Sequence, residues 1–173
     1  MNLAMFEGMG APELRRYIEF LLHHYRVMDS FWYIYLAELQ GEATADRVNE
    51  KVWSRVPALA VRDLKKKFAI RERGLEGLVK ALHYWPWHIL VGYEIEATPD
   101  EVVISVPSCP TQMARLKRGL QEYRCKEMHR GEFESFAREI DPRITTQCRF
   151  APPDSHPPEM FCQWRFFLEA EAP

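Results

Sequence analysis

The chain has four cysteines, and their positions are the feature that most directly suggests chemistry: Cys109, Cys125, Cys148 and Cys162. A cysteine attacks carbon and binds metals as the thiolate, a form that a helix start favours through its free N–H groups and dipole. Cys109 and Cys125 each come just before a predicted helix, and His129 lies one turn after Cys125. Cys109 and Cys125 are therefore candidate nucleophiles or metal ligands, and His129 is a candidate base.

The other two cysteines belong to a predicted C-terminal β-hairpin. Its strands run from Ile144 to Phe150 and from Phe161 to Leu168, on either side of a proline-rich loop. If the loop is centred on Ser155, Cys148 lies opposite Cys162. Side chains alternate between the two faces of a strand, and both cysteines share a face with mostly apolar residues. Both are therefore expected to point into the core.

Spacing alone leaves three roles for the cysteines open. The first role is a metal site, in which zinc or another soft metal is held by four cysteines gathered at one end of a cavity, Cys109, Cys125, Cys148 and Cys162. Such metals tolerate variable ligand spacing. Cys109 or Cys125 would otherwise serve as a nucleophile, or as a ligand to a water-activating metal. Free cysteine also commonly acts as a small apolar core residue, and the chain lacks the C-x-x-C pair of many zinc sites.

The first half of the chain, residues 12–88, has the pattern of helices. Between Pro12 and Leu39 apolar residues recur at spacings of three and four, which predicts one long helix or two with a bend near Asp29. Further helical segments follow through Phe68 and from Gly74. The first helix has more large aromatic residues than one face usually buries. Core packing, a ligand cavity and a homodimer seam all remain open uses for them.

The second half, residues 89–168, mixes strands and helices. A hairpin is predicted from Leu90 to Ala97 and from Val102 to Val106, and a helix from Gln112 to Glu122. The helix after Cys125 and the C-terminal hairpin follow. This order predicts an α+β fold with a mostly antiparallel sheet. The 173 residues fit a single domain, 1–173, of which residues 1–11 form a flexible start.

Charge and composition argue against two classes of partner. The chain has 23 basic and 25 acidic residues, a net charge of −2, so no strong field attracts nucleic acid or anionic membranes. The start lacks a signal-peptide pattern, and no apolar stretch reaches the about 20 residues of a membrane span. We therefore expect a cytoplasmic protein whose cysteines stay reduced. The usual serine-hydrolase, zincin and phosphate-loop motifs are absent.

The C-terminal half also resembles a known group of proteins. Its motifs resemble those of an uncharacterised family of bacterial and archaeal cytosolic proteins, which is labelled as similar to the L-2-amino-thiazoline-4-carboxylic acid hydrolases. The motif residues are Cys109-Pro110, Ala114-Arg115-Leu116, Gly119-Leu120, Cys125-Lys126, Phe136 to Ile144, Cys148, Pro152-Pro153-Asp154, His156-Pro157 and Cys162-Gln163-Trp164. This resemblance implies a hydrolase of a small cyclic or amide C–N bond.

A more distant likeness is to the 4-vinyl-reductase-type small-molecule-binding domain. Its pattern has a cysteine before a helix, one in the penultimate strand and one in the last strand, and Cys125, Cys148 and Cys162 match these positions. Here a longer proline-rich loop replaces the usual glycine-centred turn between the last strands, and Cys109 is additional. The likeness implies an α+β fold that often dimerises and that binds a small ligand or a metal through its cysteines.

Three functional hypotheses follow. The first is a small-molecule-binding domain with a cysteine-lined site, which holds a metal in one form of the hypothesis. The second is a cysteine- or metal-dependent hydrolase of a small C–N bond. The third is a dimerisation or interaction protein in which the aromatic helix binds a second copy or a partner helix and the cysteines only pack. The predicted partners are thus a small-molecule ligand and a second copy of the chain.

Overall fold

The protein is described here from a computed structural model, which covers residues 2–169. Contacts divide the chain into two compact units, Met1–Ala45 and Asp46–Pro173. A short 3-10 helix, Ala4–Phe6, comes first. The α-helices of the described residues are α1 (Ala11–Gln40), α2 (Glu42–Trp53), α3 (Val56–Lys67), α4 (Gly74–His83), α5 (Pro86–Val91), α6 (Pro110–Lys117) and α7 (Lys126–Ile140). The strands are β1 (Glu94–Ala97), β2 (Glu101–Val106), β3 (Ile144–Phe150) and β4 (Cys162–Leu168).

The first unit consists mainly of α1, which is one continuous helix of 30 residues. Gly41 ends it with a φ of 83°, a conformation that glycine adopts without strain. No residue of α1 is buried, and Trp32 and Leu39 are 72% and 78% exposed. The homodimer seam expected from this helix stays a prediction.

The second unit is built on a four-stranded sheet in the order β1-β2-β4-β3, in which all neighbouring strands are antiparallel. Val102 and Ile104 on β2 and Trp164 and Phe166 on β4 face the core and are fully buried. On β4 these residues alternate with the more exposed Gln163 and Arg165, whereas β2 is buried on both faces, with Val103 and Ser105 on the other side. The predicted α+β class with an antiparallel sheet is confirmed.

Helix α7 joins the helical layer to the sheet. It packs against α3, α4 and β3. The ring of Phe133 lies 5.2 Å from that of Trp164 between centroids, and Phe136 lies 5.3 Å from Trp85. Aromatic pairs at these distances add to the stabilisation from burial. The core therefore holds α7 firmly, along with the polar residues at its start.

The first predicted hairpin begins later than expected. Residues 86–91 form α5 because Pro86 suits the first turn of a helix and Gly92, with a φ of 76°, ends it. The strand predicted from Leu90 therefore starts only at Glu94. Helix α6 is also shorter than the predicted Gln112–Glu122 segment, since the helix ends at Lys117.

The predicted pairing of Cys148 with Cys162 is wrong. Cys148 lies opposite Trp164, and Cys162 pairs with Val106 on β2. The proline-rich loop is not centred on Ser155, and β3 has an irregularity between Cys148 and Phe150. Because the shift is two residues, each side chain keeps its face. Cys162 is buried as expected, whereas Cys148 is only partly buried.

None of the helices in the described residues combines the length and the apolar character needed to cross a membrane.

Asp141 is a fully buried carboxylate just after α7, and the fold predicts that it contributes strongly to stability. It accepts hydrogen bonds from the Gly74 backbone at 3.1 Å and from Arg143 Nη2 at 2.8 Å. The hydrogen bonds from Arg143 hold the pKa of Asp141 well below its usual range, against the opposing effect of burial. Its contribution to stability is therefore present above about pH 4 and lost as the pH falls further.

We expect Asp141→Asn to lower the free energy of unfolding by about 2–4 kcal/mol at neutral pH, measured by urea denaturation. The matched control, Glu139→Gln, breaks the more exposed pair with Arg62 and should cost less than about 1 kcal/mol. Equal losses in the two variants would show that burial of Asp141 has no special role.

Candidate functional site

The candidate site is built at the start of α7, where Cys125 is the N-cap residue. The backbone N–H of His129 donates to the Cys125 carbonyl at 2.9 Å, which closes the first turn of the helix. Residues four apart on a helix lie on one face, so the two side chains are neighbours at the start of α7. The structure thus brings together two of the three residues predicted to be catalytic.

A carboxylate extends this pair by one more turn. Glu132 Oε2 lies 2.6 Å from His129 Nδ1, and Trp85 Nε1 donates to Glu132 Oε1 at 3.1 Å. The Glu132 side chain is 2% exposed, whereas that of His129 is 23% exposed. A buried carboxylate needs partners of this kind, because burial of an unpaired charge is very costly. Hydrogen bonds thus join His129, Glu132 and Trp85, and together with Cys125, one turn before His129, they form a series of side chains.

The series determines the charge of His129. Burial alone would lower the pKa of His129, but Cys125 and the hydrogen-bonded Glu132 raise it well above its ordinary value. These neighbours favour the imidazolium form of His129, in which both ring nitrogens are donors.

A second element, α6, contacts the same sulfur through Gln112. This side chain is 1% exposed, and its Nε2 lies 3.5 Å from Cys125 Sγ. Nε2 also donates to the Tyr123 carbonyl at 2.9 Å, and Oε1 accepts from the Tyr123 backbone N–H at 2.8 Å. Gln112 therefore connects α6 to the segment that leads into α7 and reaches the cysteine at its end.

Burial sets the protonation of the other three cysteines. Burial raises the pKa of Cys109, raises that of Cys162 well above the ordinary value, and raises that of Cys148 to about 11. Cys109 is the N-cap of α6, and its position was expected to favour the thiolate. Burial outweighs the helix start at this residue, so Cys109, Cys148 and Cys162 are thiols at neutral pH.

These cysteines differ in which charged groups affect their pKa values. The pKa of Cys109 is influenced by Cys125 and His129. Cys162, Cys109 and Cys125 all raise the pKa of the Tyr93 hydroxyl. Cys148 instead lies under the influence of Lys126, which forms an ion pair with Asp154 outside the series.

No group of three or more His, Cys, Asp or Glu side chains in residues 2–169 is arranged to hold a metal ion. The four-cysteine metal site stays a prediction.

Sequence reasoning missed the remaining members of the site: Trp85, Gln112 and Glu132. Glu132 had a usable signal, since it is a carboxylate beside Met128, Phe133 and Phe136 on the apolar face of α7. A charge on a buried helix face needs a partner, and the nearest candidate is the histidine three residues earlier. Gln112 and Trp85 gave no such signal, because their contacts depend on how the helices pack.

Comparison with known proteins identifies the family of the chain. The family described as "Family of unknown function (DUF6125)" matches residues 12–168, which include every member of the candidate site. The chain belongs to this family. No curated protein matches the chain. The likeness to the thiazoline carboxylic acid hydrolases and to the vinyl-reductase-type domain stays a prediction, and the DUF6125 family adds no activity to it.

The site predicts a direct link between Glu132 and the protonation of His129. In Glu132→Gln the loss of the negative charge should lower the pKa of His129, measured by following its ring signals in an NMR titration. A raised histidine pKa stabilises the fold below about pH 6.5, and this contribution is lost as the pH rises through the folded-state pKa. The variant should therefore be less stable than the wild type by about 2 kcal/mol near pH 6, and by less at high pH.

Glu127→Gln is the matched control, because Glu127 lies on the same helix and pairs with exposed Arg130. It should leave the His129 titration unchanged. A His129 pKa that is the same in Glu132→Gln and in the wild type would contradict the described series.

Proposed function

We propose that this protein is a cysteine-dependent hydrolase of a small C–N substrate, with Cys125 as its nucleophile. The observation that supports the proposal is the placement of Cys125, His129 and Glu132 along one face of α7, with His129 Nδ1 2.6 Å from Glu132 Oε2. A nucleophile, a proton carrier and an orienting carboxylate in contact with one another are what covalent acyl transfer requires. Cys125, His129 and Glu132 lie within two consecutive turns of one helix, so they keep their relative positions.

Cys125 supplies the attacking atom. The thiolate is the reactive form of cysteine and is favoured by a nearby positive charge, and His129, whose pKa is raised, lies one turn after Cys125 on the same helix. The burial-raised pKa values of Cys109, Cys148 and Cys162 argue that those thiols are poor nucleophiles at neutral pH. Cys125 is therefore preferred over Cys109, the other nucleophile considered from the sequence.

His129 moves the protons. Its Nδ1 is engaged by Glu132, so Nε2 is the nitrogen available to the reacting groups. When the thiolate attacks the substrate carbon, a sulfur–carbon bond forms and the carbon–nitrogen bond breaks, and the imidazolium protonates the departing nitrogen. The neutral imidazole then takes a proton from water as the water attacks the thioester. This step releases the acid and restores the thiolate and the imidazolium.

Glu132 and Trp85 orient the imidazole. The carboxylate stabilises the charged ring, and the indole N–H at 3.1 Å limits the directions in which the carboxylate can turn. Neither group contacts the substrate in this scheme, so both act through His129 as positioning residues.

The substrate class follows from the surroundings of the series and from the resemblance to C–N hydrolases. Aromatic residues surround it, since the ring of His129 stacks on Phe133 at 5.7 Å and Phe133 contacts Tyr93 and Trp164. Apolar neighbours of this kind favour a small, largely uncharged substrate. A binding domain without turnover would use the same residues, and its metal-bound form can be tested by elemental analysis of protein purified without chelator.

The proposal predicts covalent labelling at one cysteine. With p-nitrophenyl acetate as an activated acyl donor, the wild type should release a burst of p-nitrophenolate and carry an acetyl group on Cys125, located by peptide mass spectrometry. Cys125→Ala should lose the burst, and His129→Ala should slow it by about 10²-fold or more.

His83→Ala is the matched control for the histidine, because His83 lies at the end of α4, outside the series. It should retain the full burst. Acetylation that is equally fast in Cys125→Ala and in the wild type would refute Cys125 as the nucleophile.

A further inference from the structure

Gln112 is one of the few buried polar side chains in the described residues, and it makes one more contact than is needed to hold the local fold. Its carboxamide makes two hydrogen bonds with the backbone of Tyr123, at 2.9 and 2.8 Å. These two bonds alone would fix the segment that leads into α7. The additional contact, 3.5 Å from Nε2 to Cys125 Sγ, aims an N–H group at the nucleophile.

The orientation of the amide is determined by its partners. Oε1 accepts from the Tyr123 backbone N–H, which cannot serve as an acceptor. An amide rotated by 180° would place two donors against each other at this position. Nε2 must therefore face the carbonyl of Tyr123 with one hydrogen and the sulfur with the other.

We propose that Gln112 is a catalytic residue that donates a hydrogen bond to the oxyanion formed when Cys125 attacks a carbonyl carbon. This inference rests on the proposed function. In the attack the sulfur–carbon bond forms, and the electron pair of the carbonyl π bond moves onto oxygen. That oxygen is bonded to the carbon next to the sulfur, within reach of a donor that already contacts the sulfur. Collapse returns the pair to the carbonyl and expels the leaving group, which departs as a phenolate or receives the His129 proton.

The electrostatics of the site favour this role. The side chain of Gln112 is 1% exposed, and a donor shielded from water stabilises a new negative charge more strongly than one in solvent. The donor is also already in place before the reaction, since Tyr123 holds the amide on both sides. The N–H that faces the sulfur points to the place where the attacked carbon and its oxygen come to lie, so no movement of the backbone is needed.

Two reagents separate the catalytic role from a structural one. Acetylation of Cys125 by p-nitrophenyl acetate passes through an oxyanion, whereas alkylation by iodoacetamide displaces iodide at a saturated carbon and forms none. In Gln112→Met, acetylation should fall by about 10²-fold, the usual effect of losing one oxyanion donor. Alkylation should change by no more than about fivefold, the effect of losing one ordinary hydrogen bond to the sulfur.

Two further variants keep the test decisive if Gln112→Met folds poorly, as judged by circular dichroism. Gln112→Glu keeps an oxygen for the Tyr123 N–H but replaces the donor at the sulfur with an acceptor, and it should lose acetylation at least as far. The matched control is Asn49→Ala, which removes only the 3.0 Å hydrogen bond from Asn49 to the Tyr123 hydroxyl. It should leave both rates unchanged.

The outcomes distinguish this inference from the proposal on which it rests. Suppose that the wild type is acetylated at Cys125. If the Gln112 variants then reduce acetylation and alkylation equally, or reduce neither, the role of Gln112 alone is overturned. A wild type that is not acetylated at Cys125 would overturn both.

Discussion

The buried carboxylate of Glu132 is the constraint on which the site depends. An ionised group inside a core of aromatic and aliphatic side chains is tolerated only when its oxygens have partners. Trp85 serves one oxygen and His129 the other. The same histidine lies one turn after Cys125 on α7. The partners that offset the cost of burying Glu132 therefore also place His129 beside the proposed nucleophile.

Helix α7 contributes residues both to the core and to the candidate site. Phe133 and Phe136 pack against Trp164 and Trp85, while Cys125, His129 and Glu132 follow the helix at spacings of four and three. Because movement of α7 would disturb the core, the packing of its aromatic residues also fixes the positions of the series. The two hydrogen bonds between Gln112 on α6 and the backbone of Tyr123 give a second support at the start of α7, where Cys125 lies.

Local patterns were sufficient to predict much of this arrangement. The α+β class, the inward faces of β2 and β4, and the position of Cys125 before a helix with His129 one turn on all follow from periodicity and capping. The pairing of Cys148 with Cys162 could not be predicted, because a strand irregularity and an off-centre loop set the register. Helix α5 was missed because the alternation from Leu90 hid the start signal of Pro86. Contacts between distant segments, such as Gln112 with Cys125 and Trp85 with Glu132, have no signature in either segment alone.

The most direct test of Cys125 as the reactive thiol is the order in which the four cysteines react. Native protein is treated with limiting iodoacetamide at neutral pH, and the labelled fraction of each cysteine is followed in time by peptide mass spectrometry. We predict that Cys125 is labelled first, although it is only 5% exposed and Cys109 and Cys148 are more accessible. Labelling that follows accessibility instead, with Cys109 and Cys148 ahead of Cys125, would contradict the assignment of Cys125 as an activated nucleophile.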